Sequence, residues 1–211
     1  VPSLGRIADV RHEQLANIDS KHMSLTLCVA LTARVNELLA DPDVDAVVIT
    51  HGTDTLEETA YWLQLTTRSE KPVVLTAAMR PATALSADGP LNLLDAVTVA
   101  VHPSAQNQGV LVVFANLIHA ARDITKISTY SAMAFSSGEF GALGWVQDAR
   151  VIFARRLNSV IAPDGTDVQS PIPYNRGFAR DEARVHRRAD GAAPAGRFPA
   201  PPDPAGPRPP A

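Results

Sequence analysis

The chain has 211 residues, which suits one α/β domain with some residues left over. Its net charge of -3 and its 5% of aromatic residues argue against a nucleic-acid or membrane-surface partner. A single cysteine, Cys28, excludes a disulfide framework within the chain, and no stretch reaches the ~18 apolar residues that a membrane helix needs.

Taken in chain order, the elements alternate in period. Residues 24–40 carry Cys28, Leu31, Val35, Leu38 and Leu39 at helical spacing, with Ser24 as the N-cap. Cys28 reads as a small core residue of that helix. Asp41-Pro42-Asp43 breaks the run, and residues 44–50 (VDAVVIT) form a short β-branched strand. Thr55 and Glu58 have the spacing of a capping box, which opens a helix through about Thr67. Residues 71–77 (KPVVLTA) are the next strand. A polar loop leads to Asp88-Gly89-Pro90, a cap and an early proline for a helix through about Val101. Residues 109–116 (GVLVVFAN) are a third strand. From Arg187 to Ala211 there are 8 prolines, 7 alanines and 3 glycines, with Phe198 the only large apolar side chain. Such a segment buries too little surface to offset its ordering entropy and reads as a disordered tail. The expected organisation is therefore an α/β domain over residues 1–175 and a Pro/Ala-rich tail over 176–211.

Apolar strands alternating with helices predict a doubly wound parallel sheet covered on both faces. Ligands in such sheets bind at the carboxyl ends of the strands, so the residues after Thr50, Ala77 and Asn116 are the candidates. After the first strand comes His51-Gly52-Thr53-Asp54-Thr55, with two hydroxyls, a carboxylate and the amides of a helix start. A helix N-terminus favours a bound carboxylate, and Asp54 could hold an ammonium, so the pair suits an amino-acid zwitterion. The same residue types also serve as plain helix caps. Residues 78–92 read as a long loop ending in a helix cap. Residues 121–126 (ARDITK) read as a charged turn. His51 reads as a structural residue beside the strand end. The six histidines lack metal-ligand spacing, and no phosphate-loop, dinucleotide or nucleophile-elbow motif is present.

HGTDTLEETAYWL at residues 51–63 resembles the second signature of bacterial L-asparaginases and glutaminase-asparaginases. KPVVLTAAMRP, SADGPLNL, GVLVVFAN, ARDITK and SSGEFGALGWV fit the same family in order, as does NIDSKHM at residues 17–23. The resemblance covers about residues 1–160. It implies a Thr-Lys-Asp triad of Thr53, Lys126 and Asp54. It also implies that Ser20 holds the substrate α-carboxylate, that Asp54 grips the α-ammonium and that the Ala78 carbonyl meets the side-chain amide. The implied reaction is hydrolysis of L-asparagine, or L-glutamine, to the acid and ammonia, without metal or cofactor. A threonine hydroxyl needs a base to take its proton, and a lysine serves as that base only where burial disfavours its charge, against the pull of a neighbouring carboxylate. The resemblance further implies a homotetramer in the cytoplasm or periplasm.

The chain departs from the family in three places. Val1 begins beyond the family's first strand, a central one, whose TGGTIA-like motif carries the threonine usually assigned as primary nucleophile. On this reading the loop with the family's catalytic tyrosine is expected to be missing with it. Lys21 stands where Gln or Glu is common, and the Pro/Ala/Arg tail stands in place of a smaller C-terminal domain, resembling an out-of-frame reading of a GC-rich gene. Two other readings compete: a non-catalytic amino-acid-binding fragment, and an amidotransferase subunit that supplies ammonia to a partner.

Overall fold

A computed structural model describes residues 4–157. The expected boundary near Asn175 and the tail lie outside the described residues.

The described residues hold three α-helices and eight strands, besides short 3-10 turns: α1 (Leu25–Ala40), β1 (Val47–Thr50), α2 (Leu56–Thr66), β2 (Val73–Thr76), α3 (Gly89–Ala100), β3 (Val110–Phe114), β4 (Leu117–Ala120), β5 (Thr125–Lys126), β6 (Phe135–Ser136), β7 (Gly144–Gln147) and β8 (Arg150–Phe153). Six strands form the main sheet in the order β1-β2-β3-β4-β7-β8, and β5 pairs with β6 in a separate small sheet. The pairs β1–β2 and β2–β3 are parallel, as the alternation of apolar strands and helices requires. The pairs β3–β4, β4–β7 and β7–β8 are antiparallel. This extension was not apparent in the sequence, which read residues 109–116 as one strand. The chain instead reverses at Ala115 and Asn116, both at positive φ (49° and 64°), and returns as β4. Among the described residues β1 pairs with β2 alone and closes that side of the sheet.

Both faces of the sheet are covered. Leu31, Val35 and Leu39 of α1 and Leu56, Ala60 and Leu63 of α2 pack with Val73, Leu75, Val110, Val112 and Phe114 on one face. Ala96, Val99 and Ala100 of α3 pack with Val74, Leu111, Val113 and Ile118 on the other. Strand residues 73–75 and 110–114 are buried on both sides, which explains their unbroken apolar runs. A fully buried leucine such as Leu56 or Leu63 contributes roughly 1.5–3 kcal/mol. Cys28 is partly buried on α1 and lies outside both core clusters, because it sits one turn before the buried stripe of Leu31, Val35 and Leu39.

The helix starts follow the sequence in position more than in bonding. Ser24 caps α1, its Oγ accepting from the Leu27 amide at 3.3 Å. Thr55 precedes α2 but makes no side-chain cap. Its hydroxyl donates instead to the Ser20 carbonyl at 2.8 Å, so the expected capping box is replaced by a tie to the loop before α1. Asp88 precedes α3, also without a side-chain cap. Its carboxylate accepts from the Met79 and Arg80 amides, both at 2.9 Å, and ties down the loop after β2.

Candidate active site

The carboxyl ends of β1 and β2 lie side by side. Thr50 faces Thr76 in register, and the His51 amide extends the pairing to the Thr76 carbonyl at 2.9 Å. Residues 51–55 then turn into α2. His51 braces this turn: Nδ1 lies 2.7 Å from the Gly52 carbonyl, which can only accept, so Nδ1 carries the proton. Nε2 lies 3.2 Å from the hydroxyl of buried Thr59. The two ring nitrogens thus engage the turn and helix α2, where the sequence reading had a structural residue beside the strand end.

Ser20 docks onto the same turn. It opens a 3-10 turn (Ser20–His22), is 6% exposed, and its Oγ accepts from the Asp54 amide at 3.2 Å. A serine hydroxyl donates one hydrogen bond and accepts two, so the Ser20 proton remains available to a ligand. Lys21 is turned to Asp19, 2.8 Å away, and both side chains are exposed. Each member of that pair favours the charged form of the other, holding the Asp19 carboxyl below and the Lys21 ammonium above their ordinary values.

Lys126 reaches the turn from a different part of the chain. It does not project from a main-sheet strand; it lies on β5, off the face covered by α1 and α2. Phe135, its partner on β6, is buried and packs edge-on against Phe114 with ring centroids 5.0 Å apart. Lys126 Nζ donates to Thr53 Oγ1 at 3.0 Å and to Asp54 Oδ1 at 2.7 Å. Its side chain is 15% exposed and that of Asp54 55%, so the ammonium is enclosed while the carboxylate opens to solvent. Glu57, which the sequence reading did not single out, accepts from the Lys126 backbone amide.

The loop after β2 adds the last wall. Ala78 is exposed two residues past Thr76, and its methyl faces Gly89 at the start of α3. The Asp88 bonds hold the loop, as does the Arg80 guanidinium, which donates to the Ser86 carbonyl at 3.0 Å and hydroxyl at 2.9 Å. Buried Asn92 donates to the Ala77 carbonyl at 2.9 Å and accepts from the Ala115 amide at 3.1 Å, linking the ends of β2 and β3. The structure thus brings Thr53, Asp54, Lys126 and Ser20 into direct contact through named bonds and sets Ala78 on the adjoining strand end. Among the described residues no group of three His, Cys, Asp or Glu side chains is placed to hold a metal ion, and no helix is long and apolar enough to cross a membrane.

Known proteins resemble this chain in sequence and in fold. The L-asparaginase 2 of Bacillus subtilis is 49% identical over 148 residues, covering 70% of this chain and 40% of that protein. The glutaminase-asparaginase of Pseudomonas fluorescens is 45% identical over 155 residues, covering 74% of this chain and 42% of that protein. The crystal structure of a probable cytoplasmic L-asparaginase from Campylobacter jejuni superposes with a TM-score of 0.74 at 41% identity, over 88% of this chain and 63% of that one. The chain spans less than half the length of these two curated relatives. Residues 1–159 match the family described as asparaginase, N-terminal, and the chain therefore belongs to the asparaginase family.

Proposed function

We propose that this domain hydrolyses the side-chain amide of L-asparagine, or of L-glutamine, with Thr53, Lys126 and Asp54 as its reactive group. The observation that carries the reading is the double contact of one enclosed ammonium with a hydroxyl at 3.0 Å and a carboxylate at 2.7 Å. A proton can pass between Thr53 Oγ1 and Lys126 Nζ without moving a heavy atom. In the step itself Lys126 acts as the neutral amine: Nζ takes the hydroxyl proton and becomes the ammonium as Thr53 Oγ1 attacks the amide carbon. The tetrahedral intermediate collapses, the C–N bond breaks and the proton leaves with ammonia. Water then cleaves the acyl ester, releasing the acid and restoring the Thr53 hydroxyl. Asp54 keeps the lysine oriented.

Substrate binding follows from the groups around the turn. The Ser20 proton and the α2 N-terminus together favour an α-carboxylate. Asp54, open on one side, faces an α-ammonium, and the Ala78 carbonyl accepts from the departing amide nitrogen. Both family descriptions, asparaginase and glutaminase-asparaginase, are compatible with this set.

The test is ammonia release from L-asparagine by the purified chain, with Thr53→Ala and Lys126→Ala as controls. We expect release by the parent and a loss of at least a hundredfold in each variant, since removing one member of a coupled nucleophile–base pair costs about as much as removing both. Binding of L-asparagine by calorimetry without ammonia release from the parent would overturn the catalytic reading and leave a binding domain.

A further inference from the structure

Lys126 lies on a strand only two residues long. One edge of β5 pairs with β6, and the Ile127 amide extends that pairing to the Ala134 carbonyl at 2.7 Å. Beyond it the chain enters an exposed stretch, with Ile127, Tyr130 and Met133 at 66%, 95% and 60% exposure. Such a short strand beside a solvated loop has few bonds to fix it along its own axis. On its other edge the Lys126 amide is taken by the Glu57 carboxylate.

Glu57 belongs to the first turn of α2. It stands four residues after Thr53 and three after Asp54, the two groups that Lys126 Nζ touches. One short segment therefore carries the hydroxyl, the carboxylate that receives the ammonium, and the carboxylate that receives the same lysine's backbone. Lys126 is gripped at both ends by residues 53–57, so its ammonium is placed relative to Thr53 by a closed loop of contacts. We propose that Glu57 is a positioning residue: it sets the reach of Lys126 by fixing the lysine backbone against α2. The inference rests on the role proposed above for Lys126.

Losing the Glu57 contact frees β5 to slide. A displacement near 1 Å from reacting geometry costs up to about a hundredfold in rate. A glutamine at this position retains a carbonyl oxygen that can accept from the amide, whereas alanine retains none.

The experiment compares parent, Glu57→Ala and Glu57→Gln as full chains, with two readouts. The first is the Lys126 side-chain ammonium resonance in ¹⁵N-labelled protein, which stays sharp while Nζ is held by Thr53 and Asp54 and broadens when it is released. The second is steady-state ammonia release. We expect the resonance to persist in the parent and the glutamine variant and to broaden in the alanine variant. We expect kcat to fall roughly ten- to hundredfold in Glu57→Ala with KM within threefold, and Glu57→Gln to recover most of that loss. A Lys126 resonance as sharp in Glu57→Ala as in the parent would overturn the proposal. So would a glutamine variant as impaired as the alanine one, because charge and not the bond would then be at work. Should the parent release no ammonia, the hydrolase reading fails, and the resonances alone decide whether Glu57 places the lysine.

Discussion

A β-carbon built at position 52 meets Ser20 Oγ at 2.5 Å and Ser20 Cβ at 2.7 Å. The backbone of Gly52 is not among those at positive φ, so space and not conformation demands glycine there. Ser20 cannot swing aside, since its Oγ is bonded to the Asp54 amide and its carbonyl to the Thr55 hydroxyl. A Gly52→Ala change must push the whole Ser20–His22 turn away from α2. We expect KM for L-asparagine to rise at least tenfold with a smaller effect on kcat, together with a destabilisation of about 1–3 kcal/mol from overpacking. Kinetics and a thermal melt on the same preparation separate the two effects.

At the scale of elements, α3 organises the sheet edge from the face opposite α2. Asn92 joins the Ala77 carbonyl to the Ala115 amide, and Asp95 accepts from Asn116 Nδ2 at 2.9 Å. Together they brace the tight β3–β4 turn, where Ala115 adopts the left-handed conformation without glycine's freedom. Asn92→Ala would orphan a buried carbonyl and an amide, at about 2–4 kcal/mol in sum. For a domain of this size that lowers Tm by roughly 5–15 °C, which calorimetry would show.

The same turn explains what was legible in the sequence. Helices α1–α3 and strands β1–β3 announce themselves by period and by β-branched runs, and their positions follow within a few residues. The β3–β4 reversal carries Ala-Asn in place of a glycine signal, so the reading ends the strand at Asn116 without marking the hairpin that returns as β4. Strands β5 and β6 are two residues each, too short to have a period. Within the candidate site, Thr53 and Asp54 stand out by the strand-end rule, because the turn from β1 into α2 is local. Lys126 reads as part of a charged turn unless the family resemblance is used, since its approach depends on a hairpin that tertiary packing creates. Glu57 was hidden for a related reason: an acid in a first helical turn has a sufficient local explanation.

At the scale of the whole molecule, two buried titratable groups pull its acid stability in opposite directions. His119 on β4 is 2% exposed, its Nδ1 is 2.7 Å from the buried Ser137 hydroxyl, and burial lowers its pKa to about 4. Between about pH 6.5 and 4 the unfolded chain binds a proton there that the folded chain refuses. Stability from this group is therefore lost on acidification through that window, by up to about 3 kcal/mol. Asp95 is 4% exposed, and burial raises its pKa to about 6 against the smaller opposing effect of Asn116. Between about pH 6 and 3.8 the folded chain holds the extra proton, so this group favours the fold as pH falls. Urea melts at pH 7, 5.5 and 4.5 would show the balance. We expect Asp95→Asn to steepen the acid loss and His119→Gln to flatten or reverse it. Parallel pH profiles in all three proteins would contradict both assignments.

The bond from the Ala115 amide to Asn92 Oδ1 has a kinetic consequence. That amide can exchange its hydrogen with solvent only when α3 draws away from the end of β3. The Lys126 amide, held by Glu57, exchanges only when α2 and β5 separate on the opposite face. The two hydrogens thus act as independent clocks, one for each side of the sheet. If the Lys126 clock runs faster, the α2–β5 side opens and closes while the α3 side stays shut, and the domain breathes on one face without loosening its core.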